Sequence, residues 1–177
     1  TAGGRVLVIG YGNTLRTDDG VGRRVAMAVA SWELPGMRSI AVHQLTPELA
    51  EPLANAELAI FVDARFADGE ETVEVHRLEP SASRGGLGHV SDPRSLLALA
   101  RAIYGGSPRT WLVMVPAADL SLGEGLSSTA ARGAEVALAR IATLIEAEGH
   151  RCLGSDSGSS DDGPGRFQYG QSLAGSL

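Results

Sequence analysis

The chain has 177 residues, 44% of them hydrophobic, enough for one domain with a real core. Its 15 basic and 21 acidic residues leave a net charge of −6, which argues against nucleic acid as a general partner because phosphate binding needs a basic face. Cys152 is the lone cysteine, which excludes a disulfide framework and a thiolate metal cluster. No secretory signal is visible and no apolar run approaches the roughly 20 residues that span a bilayer, so no membrane partner is expected and a reducing cytoplasm is the expected setting.

Arg5 to Gly10 reads as a first strand, apolar almost throughout, as a strand covered on both faces should be. A first helix is expected from Gly20 to Trp32, stopped near Pro35-Gly36. Ser39 to Leu45 follows as a second strand. Thr46-Pro47-Glu48 opens a second helix, with Thr46 as cap and Pro47 at the first helical position. Leu58 to Ala64 is a third strand, with Asp63 at its C-terminal end. Thr72 to Leu78 interleaves Val73, Val75 and Leu78 with Glu74, His76 and Arg77, the pattern of a half-exposed, antiparallel edge strand. Ser81 to His89 is a Gly/Ser-rich loop. Asp92-Pro93 opens a third helix reaching Tyr104. Thr110 to Val115 is another buried strand, stopped by Pro116. Ala117 to Leu126 is a loop, and Ser127 or Ser128 caps a last helix that runs to Glu148 and closes at Gly149.

Alternating apolar strands and helices predict an α/β fold, a three-layer sandwich with a mostly parallel twisted sheet flanked by helices and one antiparallel edge strand. Residues 1–150 read as a single domain of this kind, phosphorylase/hydrolase-like in outline. Residues 151–177 read as a Gly/Ser/Asp-rich tail whose plausible aromatic anchors are Phe167 and Tyr169.

The stretch from Val6 to Gly22 carries most information. It begins as a buried strand, ends as a helix start, and holds Gly10, Gly12, Asn13 and the paired Asp18 and Asp19 between them. A dinucleotide fingerprint would need glycine where Leu15 stands, and an acidic residue at the end of the second strand, where the chain reads Val42-His43-Gln44-Leu45. Phosphate would also be repelled by two carboxylates, whereas a cation would be attracted. The bland alternative makes Asp18 or Asp19 a helix cap, which accounts for one carboxylate and leaves the other without a reason.

In an open α/β sheet, ligands bind beyond the C-terminal ends of the strands. Asp18 and Asp19 follow the first strand, Asp63 ends the third, and His89 lies in the glycine loop before the third helix. Carboxylates plus an imidazole suit a borderline divalent ion such as nickel, zinc or iron, and leave coordination positions open. Each has a structural alternative: Asp63 could hold a turn, and His89 could be a surface histidine. His43 is expected to be structural or substrate-facing, His76 and His150 solvent-exposed, and Asp119 a positioning residue. Arg16 reads as a solvated loop residue. No serine stands in a G-x-S-x-G nucleophile elbow, and Cys152 lies beside the tail, far from the cluster in sequence.

Gly10-x-Gly12-Asn13-x-Leu15-x-x-Asp18-Asp19-Gly20-x-Gly22, then Phe61-Val62-Asp63-Ala64, then a His in a glycine-containing loop resemble the hydrogenase maturation endopeptidases over residues 5–148. The resemblance implies an aspartyl-type endopeptidase that removes a C-terminal peptide from the large-subunit precursor of a nickel-iron hydrogenase. It implies metal ligation by Asp19, Asp63 and His89, with Asp19 and Asp63 also catalytic. Asn13, Asp18, His43 and Gln44 are then expected at the substrate. Nickel would arrive with the precursor, and zinc or cadmium could substitute for it in a crystal. A metal could polarise the scissile carbonyl or acidify a bound water, or a free carboxylate, Asp18 or Asp19, could act as general base. The expected partner is the precursor and the expected state a monomer or weak dimer. Two other classes remain open: a non-catalytic nickel-site sensor or chaperone on the same fold, and a nucleotide-binding protein.

Overall fold

The computed structural model describes residues 5–69, 71–81, 90 and 92–154, of which 149–154 are described as backbone. Five strands form one sheet: β1 (Val6–Tyr11), β2 (Met37–Val42), β3 (Leu58–Phe66), β4 (Glu74–Leu78) and β5 (Arg109–Ala117). Four helices flank it: α1 (Val21–Ala30), α2 (Ala50–Ala54), α3 (Pro93–Tyr104) and α4 (Ser128–Gly154). The strand order is β2-β1-β3-β5-β4, with β4 antiparallel to β5 and every other pairing parallel. The expected mostly parallel sandwich with one antiparallel edge strand is therefore what folds.

Strand alternation sorts the core into two layers. Leu7 and Ile9 of β1 and Ala59 and Phe61 of β3 pack under α2 and α3, with Leu53, Leu96 and Leu97. Val8, Ile60 and Val62 face the opposite way, against Val21, Val25 and Val29 of α1 and Ala137 and Ile141 of α4. The helix α1 earns its place by spacing: Val21, Val25 and Val29 recur every four residues on one buried face.

Close approach of α1 to the sheet depends on two glycines. A Cβ on Gly10 would sit 1.9 Å from the Gly22 carbonyl oxygen, and one on Gly22 would sit 2.4 Å from the Val62 carbonyl oxygen. Gly12 takes φ +135, and a Cβ there would fall 1.9 Å from the Asp19 carbonyl oxygen. The backbone of Asp19 thus rests directly on the end of β1.

Several boundaries differ from expectation, each for a local reason. A 3₁₀ turn over Thr17–Gly20 precedes α1, and no side chain caps that helix, so neither Asp18 nor Asp19 is its N-cap. Thr46 makes no cap bond either; a 3₁₀ turn at Pro47–Leu49 leads into α2. The strand β2 ends at Val42, before His43. Pro116 does not stop β5. Ala117 accepts from the Ala67 N–H at 2.9 Å, so its carbonyl faces β3, and by alternation the missing N–H of Pro116 lies on the β4 side. There β4 pairs only as far as Met114, so no ladder bond is lost. Gly149 does not close α4, which continues to Gly154. In contrast, α3 starts as its sequence announces. Asp92 and Ser95 form a reciprocal capping box, with Ser95 N–H to Asp92 Oδ1 at 3.0 Å, and Pro93 stands in the first turn. Ser127 caps α4, its Oγ accepting from the Ala130 N–H at 3.2 Å. The expected Ser81–His89 loop beyond Ser81 and the tail from residue 155, with Phe167 and Tyr169, lie outside the described residues.

Candidate active site at the switch point of the sheet

From β1 the chain crosses one way to β2 and the other way to β3, so the crevice above β1 and β3 is the topological switch point. Asp19 lies just beyond β1 and Asp63 lies within β3, three residues before its end. The fold therefore brings these two predicted residues to one place.

The two neighbours Asp18 and Asp19 have opposite fates. Asp18 is 0% exposed. Its Oδ2 accepts from the N–H groups of Ala118 (2.8 Å) and Asp119 (2.9 Å) and from the Ser127 hydroxyl (2.6 Å). Its Oδ1 accepts from the Ser127 N–H at 2.7 Å. Burial favours the neutral acid, but these four donors outweigh it and hold the carboxyl below the usual range. Asp18 is an anchor for the 118–127 loop, and this replaces the substrate-facing and free-base roles expected of it. The same loop is stitched down by Thr17 N–H to Gly123 O (3.0 Å), Gly123 N–H to Leu15 O (3.0 Å) and Thr17 Oγ1 to Asp119 O (2.6 Å). Arg16 joins this seam through its Nε, 3.3 Å from Leu120 O, and Asp119 contributes chiefly its backbone.

Asp19 is half-buried and faces the other way. Its Oδ2 accepts from the Asn13 N–H at 2.9 Å. Asn13 itself folds into an Asx turn, its Oδ1 accepting from the Leu15 N–H at 2.9 Å. The predicted Asn13 thus supports Asp19 through its backbone.

Asp63 is half-buried. Its Oδ1 accepts from the Ala64 N–H at 2.8 Å, and the hydroxyl of Tyr11, its cross-strand neighbour, lies close enough to favour the charged form. Burial pushes its pKa up, the two donors pull against that, and the charge of Asp19 adds to the rise. Tyr11 is pushed far above the ordinary phenol value, first by burial and then by the charge of Asp63. The result is a carboxylate pair whose like charges act on each other in a crevice, the electrostatics of a site that gains from a cation.

His43 and Gln44 are exposed on the loop after β2, and His43 O accepts from the Gly12 N–H at 3.2 Å, which ties that loop to the first. With Tyr11, Leu45 and Val90 they line a cavity of about 350 Å³ beside Asp63. His89 lies outside the described residues. Among the described residues no group of three His, Cys, Asp or Glu is arranged to hold a metal ion. The described donors fit a metal as a pair of hard oxygen ligands with like charge, which is two ligands of the expected three.

No family model matches the chain, and no curated protein matches it. Solved structures do. A hydrogenase 2 maturation peptidase from a Thaumarchaeota archaeon matches at TM-score 0.62 and 26% identity, over 80% of this chain and 98% of that one. The hydrogenase maturating endopeptidase HybD from E. coli matches at TM-score 0.63 and 24% identity, over 82% and 94% of the two chains. The nickel-iron hydrogenase maturation protease HycI from Thermococcus kodakarensis matches at TM-score 0.63 and 22% identity, over 80% and 92%. The chain has the fold of these hydrogenase maturation proteases.

Two residues of this maturation-protease fold escaped the sequence reading. Ser127 was expected only as a helix cap, yet it also donates twice to Asp18. Tyr11 stands inside the first motif, between Gly10 and Gly12, and drew no role. Its signal was its position: a phenol at the last residue of β1, at the C-terminal end of the sheet.

Proposed function

We propose that this protein is a peptidase that removes the C-terminal peptide of a nickel-iron hydrogenase large-subunit precursor once nickel has been inserted. The observation that carries the proposal is the Asp19–Asp63 pair at the switch point: two half-buried carboxylates brought to one crevice by β1 and β3, one of them beside the half-buried Tyr11. Solved structures bearing the names of hydrogenase maturation proteases support it.

Nickel belongs here to the substrate. Asp19 and Asp63, with His89 as third ligand, would hold it while the precursor supplies the rest, so that an unloaded precursor finds a repulsive site. Bound there, the ion would draw electron density from the nearby scissile carbonyl. A carboxylate of the pair takes a proton from the attacking water as its oxygen bonds to the carbonyl carbon. The C–N bond then breaks, the proton passes to the leaving nitrogen, and a new carboxylate and a free amine result. The exposed His43 and Gln44 flank the cavity beside the site and would meet the precursor chain. We place the reaction in the cytoplasm and expect the protease to act as a monomer or weak dimer.

Replacing Asp19 by Asn tests this reading. The variant should fold, bind the nickel-loaded precursor and leave it uncut. Normal processing by that variant would sink the assignment. Binding by the unaltered protein without any cut would instead make it a sensor or chaperone of the nickel site.

A further inference from the structure

The side of the sheet that packs under α2 and α3 contains more of the site than its two carboxylates. The register pairs Gly10 with Val62, so Tyr11 and Asp63 are the next cross-strand neighbours. Alternation puts both on the face of Ile9 and Phe61, above the α2/α3 core layer, against which Tyr11 packs. Adjacent strands lie about 4.8 Å apart, so the two side chains run up the sheet side by side.

We propose that Tyr11 is a positioning residue that fixes the rotamer of Asp63 and so aims its free lone pairs at Asp19 across the crevice. This rests on the functional reading above and adds a residue to it. The Asp63 carboxylate has two fixed neighbours. The Ala64 N–H takes up Oδ1 at 2.8 Å. Tyr11, its cross-strand neighbour on the same face, is placed to donate its hydroxyl to the other side of the group. Together the two donors would fix the plane of the group and leave its other lone pairs for the crevice.

Without the hydroxyl the Ala64 N–H alone would hold the group. Repulsion from Asp19 favours a turn away from the crevice, because the two charges then separate. A tyrosine suits the task because its ring is anchored. It packs on the core layer and forms one wall of the cavity with His43, Gln44, Leu45 and Val90. Its hydroxyl therefore has a fixed address, which a flexible donor would lack.

The experiment compares the unaltered protein with Tyr11→Phe, Tyr11→Ala, Asp63→Asn and the double variant Tyr11→Phe/Asp63→Asn. Three quantities are read: the Asp63 rotamer in crystals, the affinity for nickel ion alone by calorimetry, and kcat and KM on the nickel-loaded precursor. Tyr11→Phe should keep its melting temperature and KM. Its Asp63 should turn or split between rotamers, and its nickel affinity and kcat should fall about tenfold to a hundredfold. In the background of Asp63→Asn the same change should cost nothing further.

If packing were the whole role of Tyr11, Tyr11→Phe would match the unaltered protein in all three and only Tyr11→Ala would suffer. That result, or an unchanged Asp63 rotamer in Tyr11→Phe, would overturn the proposal. Failure of the unaltered protein to cut precursor, with Asp63 still displaced in Tyr11→Phe, would remove the protease reading and leave the positioning role standing.

Discussion

Asp18 and Ser127, 109 residues apart in the chain, are joined by two short hydrogen bonds: the Ser127 N–H donates to Oδ1 at 2.7 Å and its hydroxyl to Oδ2 at 2.6 Å. One carboxylate thereby fastens the loop after β1 to the start of α4. The residue beside it in sequence is left free for the crevice.

This division predicts that two adjacent Asp→Asn changes behave differently. Asp18→Asn replaces an acceptor by an NH₂ group facing N–H donors and should cost about 3 kcal/mol in urea unfolding at pH 7. Asp19→Asn should cost less than about 1 kcal/mol and abolish processing. Because the folded pKa of Asp18 is lowered, its contribution is present above the unfolded carboxylate range and is lost as pH falls through the folded value. The Asp18→Asn penalty should therefore shrink in acid, and equal penalties at pH 7 and in strong acid would refute the anchor role.

Ser127→Ala removes both the α4 cap and one donor to Asp18. Its cost should be about 2 kcal/mol, at the upper end for a cap. Combined with Asp18→Asn the losses should fall short of additive, because both variants break the same bonds. Strict additivity in a double-mutant cycle would show that the pair is not coupled.

Asp63 carries the opposite sign. Its folded pKa is raised, so the native state binds the proton more tightly than the unfolded chain does. Stability attributable to Asp63 is full below about pH 4 and is lost as pH rises through the folded value. Asp63→Asn should then be more stable than the unaltered protein at pH 7, with the advantage vanishing in acid, while cleaving nothing. Thermal unfolding across that range checks this, and a variant less stable at pH 7 would contradict it.

Gly22→Ala should be among the most damaging single-methyl changes. Its Cβ would meet the Val62 carbonyl oxygen at 2.4 Å and the Tyr11 carbonyl oxygen at 2.6 Å, both backbone atoms that cannot step aside. A loss of about 3 kcal/mol or failure to fold is expected. Alanine at the exposed Gly69, where a Cβ meets nothing within 4 Å, tests the contrast: there only the backbone strain of φ +87 is at stake.

The legible parts of the fold were those with local causes. The helix start at Asp92-Pro93, the cap at Ser127 and the edge character of Glu74–Leu78 follow from neighbours within a few residues. The crevice was legible because acidic residues follow β1 and stand in the C-terminal half of β3, at Asp19 and Asp63. The different roles of Asp18 and Asp19 were not, since the partner that claims Asp18 comes from the far end of the chain. Pro116 misled because the tolerance for its missing N–H depends on where a neighbouring strand stops, a fact of sheet assembly. The placing of Tyr11 beside Asp63 needed the β1–β3 register, which no motif encodes.

The most direct test of the account is intact-mass spectrometry of a co-produced nickel-iron hydrogenase large-subunit precursor, with and without this protein and with and without nickel. The account predicts a loss of mass equal to one C-terminal peptide only when both are present. An unchanged precursor mass with nickel and protein both present, in a demonstrated complex, would contradict it.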